Sequence, residues 1–305
     1  MYQGFKVADN IHFIECPFSR PGYFTGVCAI LGETVTLIDS GLTTSPEESI
    51  FPYLRSLGRK ESETSMVVLT HGHGDHCDGA STMKRICKLK VAVHKMDENL
   101  VKDPTLHYRN LHSRFPDFFP PDSKPDHEPL EVDVTLDDEE RINIEGHELR
   151  VVHTPGHTAG CIALLDEELK LCVSGDSIQG RGEGRPLIFY DSLEYERSMR
   201  RLVDEEIDVL ILGHPMPPLN KGVLHGEEVK IHLRESLHAI QELRDNVLKI
   251  LKASDEYLSL KDLSVKMPEA RPSSIGCILE SLERSGEVEL MKTHKSLLWR
   301  VVKAK

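Results

Sequence analysis

Short apolar runs ending in a small or glycine-containing turn recur through the first two thirds of the chain, and most of the turns present a histidine or an aspartate. Thr34-Val35-Thr36-Leu37-Ile38 leads into Asp39-Ser40-Gly41, and Met66-Val67-Val68-Leu69 leads into Thr70-His71-Gly72-His73-Gly74-Asp75-His76. Leu149-Arg150-Val151-Val152 precedes His153-Thr154-Pro155-Gly156-His157, Leu171-Cys172-Val173 precedes Ser174-Gly175-Asp176, and Val209-Leu210-Ile211-Leu212 precedes Gly213-His214-Pro215. Aliphatic and β-branched runs bounded by glycine read as buried strands. The histidines and aspartates are therefore expected on loops at strand ends, not inside helices. There a rigid scaffold can aim several side chains at one point.

After Leu219 the period changes. Val229, Leu233, Leu237, Ile240, Leu243, Val247, Leu248 and Leu251 recur at three- and four-residue steps, the mark of an amphipathic helix. A stretch capped by Ser259 follows, then a break at Pro268 and a helix carrying Ile275, Ile278, Leu279 and Leu282 that ends at Gly286. Glu287 to Leu290 and Leu297 to Val301 read as two strands around Lys292-Thr293-His294-Lys295. Three helices and a ribbon resemble a winged-helix module. The chain accordingly divides into residues 1–222 and a small domain of residues 223–305.

Residues 96–140 have a third texture. Helical spacing around Leu106, Asn110 and Ser113 gives way to a loop containing Pro116, Pro120, Pro121, Pro125 and Pro129. His107, Tyr108, His112, Phe115, Phe118 and Phe119 argue against disorder. The segment is expected either to wall a substrate pocket as a lid, with Phe118 and Phe119 facing the substrate, or to be a surface insertion whose aromatics pack on the sandwich. Arg181 and Arg185, in a glycine-rich stretch after Asp176, are candidates to meet an anionic group or to be ordinary surface cations.

Composition narrows the class. With 305 residues, 39% hydrophobic and 29% charged, the chain reads as an ordinary globular protein, and it has no apolar run of the ~20 residues that a membrane span requires. The N-terminus lacks the features of a secretory signal or transit peptide. Seven scattered cysteines form no disulfide framework and no thiolate metal site, which fits a reducing, cytoplasmic setting. The net charge of −13 is concentrated in the first 222 residues, with 23 basic against 37 acidic groups; residues 223–305 are balanced at 14 against 13. An acidic body disfavours a long polyanion as partner and favours a small-molecule substrate.

Three imidazoles and a carboxylate within six residues offer nitrogen and oxygen donors suited to zinc, with iron or manganese as alternatives. Thr70 to His76, Pro155-Gly156-His157-Thr158, Gly175-Asp176 and Gly213-His214, in that order, resemble the hallmark loops of the metallo-β-lactamase superfamily. The resemblance covers roughly the first 220 residues and implies an α/β fold, an αββα sandwich with its metal site along one sheet edge. It implies two divalent metal ions, one held by His71, His73 and His157 and the other by Asp75, His76 and His214. Asp176 would bridge them, and Asp39 would order the site from behind. With its helical, winged-helix-like tail, the chain is similar to the β-lactamase-like protein 2 branch. Asp176 stands where many true β-lactamases carry Cys or Ser, and Gln179 stands where some lactone-cleaving relatives carry Tyr.

The function implied is hydrolysis by a hydroxide bridging the metals, on a small thioester or ester, with Asp75 also accepting a proton as the catalytic residue. A phosphodiesterase or endoribonuclease acting on single-stranded RNA is the alternative. Its nucleic-acid contacts would come from Arg271, Arg284, Lys292, His294 and Lys295. A non-enzymatic metal-binding regulator is the third reading and would call for missing ligands, of which there are none. A homo-oligomer is compatible with the sequence.

Overall fold

The computed structural model describes residues 3–121, 128–294 and 296–302; Pro125 and Lys295 lie outside them. The first sheet runs β1 (Gln3–Ala8), β2 (Ile11–Pro17), β3 (Phe24–Leu31), β4 (Val35–Ile38), β5 (Thr64–Leu69), β6 (Lys90–His94) and β7 (Val134–Leu136) in spatial order. It is an antiparallel meander up to β4 and parallel from β4 to β7. The second sheet contains β8 (Arg141–Ile144), β9 (His147–His153), β10 (Ile162–Asp166), β11 (Leu171–Val173), β12 (Val209–Met216) and β13 (Lys221–His225), in the order β13-β12-β11-β10-β9-β8.

Alternation along the strands decides which layer each side chain enters. In β5, Val68 faces the space between the sheets, whereas Val67 and Leu69 face outward. In β12, Ile211 lies between the sheets and Leu210 and Leu212 point to the other side. The outer face of the first sheet is covered by α1 (Phe51–Ser56) and α2 (Gly74–Ile86), through Phe51, Leu54, Cys77, Ala80 and Met83. Two shorter helices, α3 (Glu98–Lys102) and α4 (Leu106–Arg114), follow β6. The outer face of the second sheet is covered by α5 (Ser192–Val203) and α6 (Glu227–Lys252), through Tyr195, Met199, Val229 and Leu233. The result is a mixed α/β arrangement of two face-to-face sheets flanked by helices.

After α6 come α7 (Leu260–Lys266), α8 (Pro272–Arg284) and a three-stranded sheet of β14 (Leu258–Ser259), β15 (Val288–Lys292) and β16 (Leu297–Val301), with β16 central. The Ser259 cap is present as a reciprocal box with Asp262, and Gly286 adopts the left-handed conformation beyond α8. Strand β14 escaped the pattern because two residues carry no readable period. Leu260, Ile275, Leu279 and Trp299 share one apolar cluster with Tyr195 and Leu212, so this part packs on the sandwich rather than standing apart from it. None of the helices among the described residues is long and apolar enough to cross a membrane.

Leu164 in β10 is fully buried between the sheets and away from the histidine loops. Leu164→Ala is expected to lower the unfolding free energy by about 2–5 kcal/mol through lost burial and a residual cavity. Urea denaturation reads this as a lowered midpoint with an unchanged slope.

Candidate metal centre

Asp39 follows β4 in a left-handed conformation, with φ of 62°. This turn aims its carboxylate back under the loop that follows β5. Thr70 donates to it from its backbone N–H at 2.8 Å and from its hydroxyl at 2.8 Å to Oδ2. His76 Nδ1 lies 2.7 Å from Asp39 Oδ2. His71 Nδ1 lies 3.1 Å from Thr70 Oγ1, whose own proton goes to Asp39. One buried carboxylate therefore sets the tautomers of two imidazoles and leaves both Nε2 lone pairs facing the same space.

The loop does not run on as loop. His73 occupies the position just before α2, and Asp75 and His76 lie in its first turn. The expectation of ligands on loops alone is therefore corrected. The helix starts early because Asp75 sits favourably at its positive end, and the tight turn swings His76 over Asp39.

Other carbonyls orient the remaining rings. His157 donates Nδ1–H to Leu187 O at 2.7 Å, and His214 donates Nδ1–H to Phe24 O at 2.8 Å. His73 Nε2 lies 3.3 Å from His107 Nδ1. The inward atoms then crowd together: His157 Nε2 is 2.8 Å from His73 Nδ1, and His76 Nε2 is 3.3 Å from His214 Nε2. His71 Nε2 and Asp176 Oδ1 are fully buried without a hydrogen-bond partner. Asp176 Oδ1 lies 3.5 Å from His76 Nε2, while Oδ2 lies 3.7 Å from His157 Nε2.

All seven residues singled out in the sequence meet here. His71, His73 and His157 form one group, Asp75, His76 and His214 a second, and His71, His76 and Asp176 a third; within each group the donor atoms lie within 4.8 Å of one another. Lone pairs facing lone pairs at contact distance repel unless a cation lies between them. The donor set, the orphaned His71 Nε2 and the two-sided Asp176 thus fit divalent metal ions. Gly213, just before His214, is needed for the approach: a Cβ there would lie 2.5 Å from Asp176 Oδ1.

Without a metal, protons take part of that role. Burial opposes the charging of His76, but Asp39, Asp75 and Asp176 outweigh it and push its pKa up to about 10. His214 is raised in the same way by Asp176 and Asp75 against its burial. Burial, reinforced by the neighbouring imidazoles, holds His71 and His73 well below the ordinary value.

Two groups tie the loops together: Asp97, which sequence reasoning missed, and Gln179, which it named without this role. Asp97, buried ahead of α3, accepts from Gly72 N at 2.9 Å, Thr158 Oγ1 at 2.6 Å and Gly160 N at 2.6 Å. It clamps the loop of His71 and His73 to the loop of His157. Its only sequence signal is a position after a strand, shared by many aspartates. Gln179 donates to the Asp176 and Leu187 carbonyls, both at 3.0 Å, and accepts from Leu187 N at 2.7 Å. Leu187 is the residue whose carbonyl orients His157.

The donors open on a cavity of about 270 Å³ lined by Tyr23, His107, Tyr108, Arg185, Phe189 and Arg271 besides the cluster itself. Residues 96–140 wall it through His107 and Tyr108. Phe118 and Phe119 do not line it: they are partly buried against the apolar cluster that covers the second sheet and includes the C-terminal elements. Arg181 pairs with Glu242 and Glu235 on α6, so of the two glycine-loop arginines Arg185 alone reaches the cavity. His94 and His153 stack on each other with ring centroids 4.0 Å apart, outside the cluster.

A β-sandwich with this donor set at one edge defines a class of metalloproteins. The chain matches the metallo-beta-lactamase superfamily over residues 25–214 and belongs to it. It is 25% identical over 292 residues to a beta-lactamase-like protein 2 homolog of Caenorhabditis elegans, covering 88% of this chain and 83% of that one. It is also 25% identical to the human acyl-coenzyme A thioesterase MBLAC2, over 57% of this chain and 65% of that one. A metallo-beta-lactamase family protein of Thermus thermophilus shares the fold, with a TM-score of 0.75, 21% identity, and 96% and 99% of the two chains covered.

Two outcomes follow from this geometry. Asp39→Asn is expected to weaken zinc binding by about 10–100-fold, as losing the partner of a ligating histidine does; competition with a chromophoric chelator measures it. Zinc uptake is expected to release protons. His76 and His214 have raised pKa values, so their protons compete with the cation, and affinity climbs as pH rises from 6 toward about 10. Titration calorimetry in buffers of different ionisation enthalpy counts the protons released.

Proposed function

We propose that the protein is a metal-dependent hydrolase of small acyl thioesters or esters. The carrying observation is the double donor cluster at the base of a small cavity that also exposes part of a carboxylate, Asp75. The likeness to a human acyl-coenzyme A thioesterase supports the same reading. His71, His73 and His157 would hold one cation, Asp75, His76 and His214 the other, with Asp176 shared. Zinc is the favoured metal, iron and manganese the alternatives. Two divalent cations in this site would supply Lewis acidity and a water that ionises near neutral pH.

The chain's own side chains do the rest. Asp75 is 30% exposed and receives His214 at 3.2 Å. Burial opposes its charge, but His76 and His214 keep its carboxyl ionised, well below the usual range. Its place on the cavity lining, and not that low pKa, makes it the candidate acceptor for the proton that leaves the attacking water. Phe189, Tyr108 and His107 offer an aromatic wall for the acyl part. The cavity's size favours an acyl group over a polymer.

Residues 223–305 are read as a winged-helix-like unit beside a hydrolase domain of residues 1–222, with a packing role in which the end of β13 and α6 complete the layer of the second sheet. The RNA-cleaving alternative has less support. In α8, Arg284 is engaged by Asp191, and the ribbon tip contributes only Lys292 and His294 among the described residues. A polynucleotide track calls for several free cations in a row.

Side-by-side turnover of acyl-coenzyme A and S-acylglutathione thioesters and single-stranded RNA by zinc-loaded protein tests this. Thioester hydrolysis that disappears on chelation and returns with zinc is expected; RNA cleavage without thioester turnover would reverse the assignment. His71→Ala is expected to cut the rate by more than about 100-fold, beyond the cost of losing an outer partner.

A further inference from the structure

Among the described residues, every arginine except Arg20, Arg185 and Arg271 is ion-paired with a carboxylate. With 50 acidic groups against 37 basic ones, carboxylate partners are abundant, so an arginine without one stands out. The three come from distant parts of the chain: the loop between β2 and β3, the loop between β11 and α5, and the residue preceding α8. They nevertheless line one depression of about 660 Å³. That depression continues into the metal-centre cavity, because Tyr23, Arg185 and Arg271 border both.

We propose that Arg20, Arg185 and Arg271 form an anion-recognition subsite that binds the leaving group of the substrate, a thiol carrying phosphates or carboxylates. This rests on the thioester reading above. Arginine suits the task because its planar fork meets phosphate or carboxylate oxygens in pairs. The subsite is built onto the metal centre. Arg185 Nη2 donates to the Tyr23 hydroxyl at 3.1 Å, and the Tyr23 ring stacks on His214 with centroids 5.0 Å apart and planes inclined by 16°. Arg271 crosses the loop before Arg185 at Gly184, where a Cβ would lie 2.9 Å from Arg271 Nε. A bare backbone at residue 184 therefore lets a residue from the C-terminal elements reach the mouth of the site. Glu183 is the carboxylate on the lining of the depression and forms no ion pair with the described residues. Three cations converging on one depression match a compact anion. A polynucleotide would need cations spread along a track, and the other arginines are occupied.

The test uses zinc-loaded full-length protein and three thioesters sharing one acyl group: the coenzyme A thioester, the glutathione thioester and the uncharged N-acetylcysteamine thioester. A charged thioester is expected to show a KM about 10–100-fold below the uncharged one, the worth of one or two charge-assisted hydrogen bonds. The Arg20→Gln/Arg271→Gln variant should collapse that ratio toward one, and raised salt should mimic it in the wild type. Coenzyme A against glutathione tells phosphate from carboxylate. Equal KM values for all three thioesters, or a variant that slows all three alike, would overturn the proposal. If no thioester is cleaved, the thioester reading fails, and calorimetric titration with adenosine 3′,5′-bisphosphate and with glutathione decides the subsite separately. Binding that the double variant weakens about 10-fold or more supports it; absent or undiminished binding overturns it, as does arginine-dependent binding of single-stranded RNA in place of both small anions. Circular dichroism of the variant confirms folding.

Discussion

The Asp39 carboxylate governs the metal centre although it points away from the cavity. It accepts from Thr70 twice and from His76 once, and through the Thr70 hydroxyl it also fixes His71. Without it both imidazoles could rotate or change tautomer, and their inward nitrogens would no longer be acceptors. Its left-handed backbone conformation is unusual for a residue with a side chain. The end of β4 tolerates that conformation because three hydrogen bonds hold the group in place.

Around that hub the site is electrostatically crowded by construction. Five imidazoles and the Asp176 carboxylate are buried together beside the partly exposed Asp75, and their inward atoms meet at distances suited to sharing a cation, not to bonding one another. Protons on His76 and His214 relieve the repulsion only in part. What keeps the donors in place is the outer ring of partners: Asp97 between two ligand loops, Gln179 behind Leu187, and the Phe24 carbonyl behind His214. Such preorganisation makes metal binding a matter of filling a shaped site, because the ordering of the loops is already achieved by folding.

The C-terminal elements belong to the same physical account. Their apolar residues join the cluster that covers the second sheet. Ser274 donates to Pro186 O and accepts from Ile188 N, and Ser192 donates to Cys277 O, so α8 braces the loop that carries Arg185 and Leu187. A segment that looks like an appendage in sequence thus supports one wall of the cavity and contributes Arg271 to its rim.

The local pattern of the chain determined much of this. Continuous apolar runs marked β5 and β12 as buried strands. The resemblance of the strand-end loops to the metallo-β-lactamase hallmark implied the seven residues that meet, and helical periodicity outlined α6 and α8. These features are legible because they depend on neighbours a few residues apart. Tertiary structure alone decided the partners. The roles of Asp97 and Gln179, the pairing of Arg181 with α6 while Arg185 turns to the cavity, and the packing of Phe118 and Phe119 on the cluster outside the second sheet all depend on contacts between segments far apart in the chain. Asp75 and His76 lie in a helix for a local reason, the favourable place of Asp75 at its positive end, but only the fold brings Asp39 against His76. A side chain's chemistry is written in its residue type, but what it faces is set by which distant surfaces the fold brings against it.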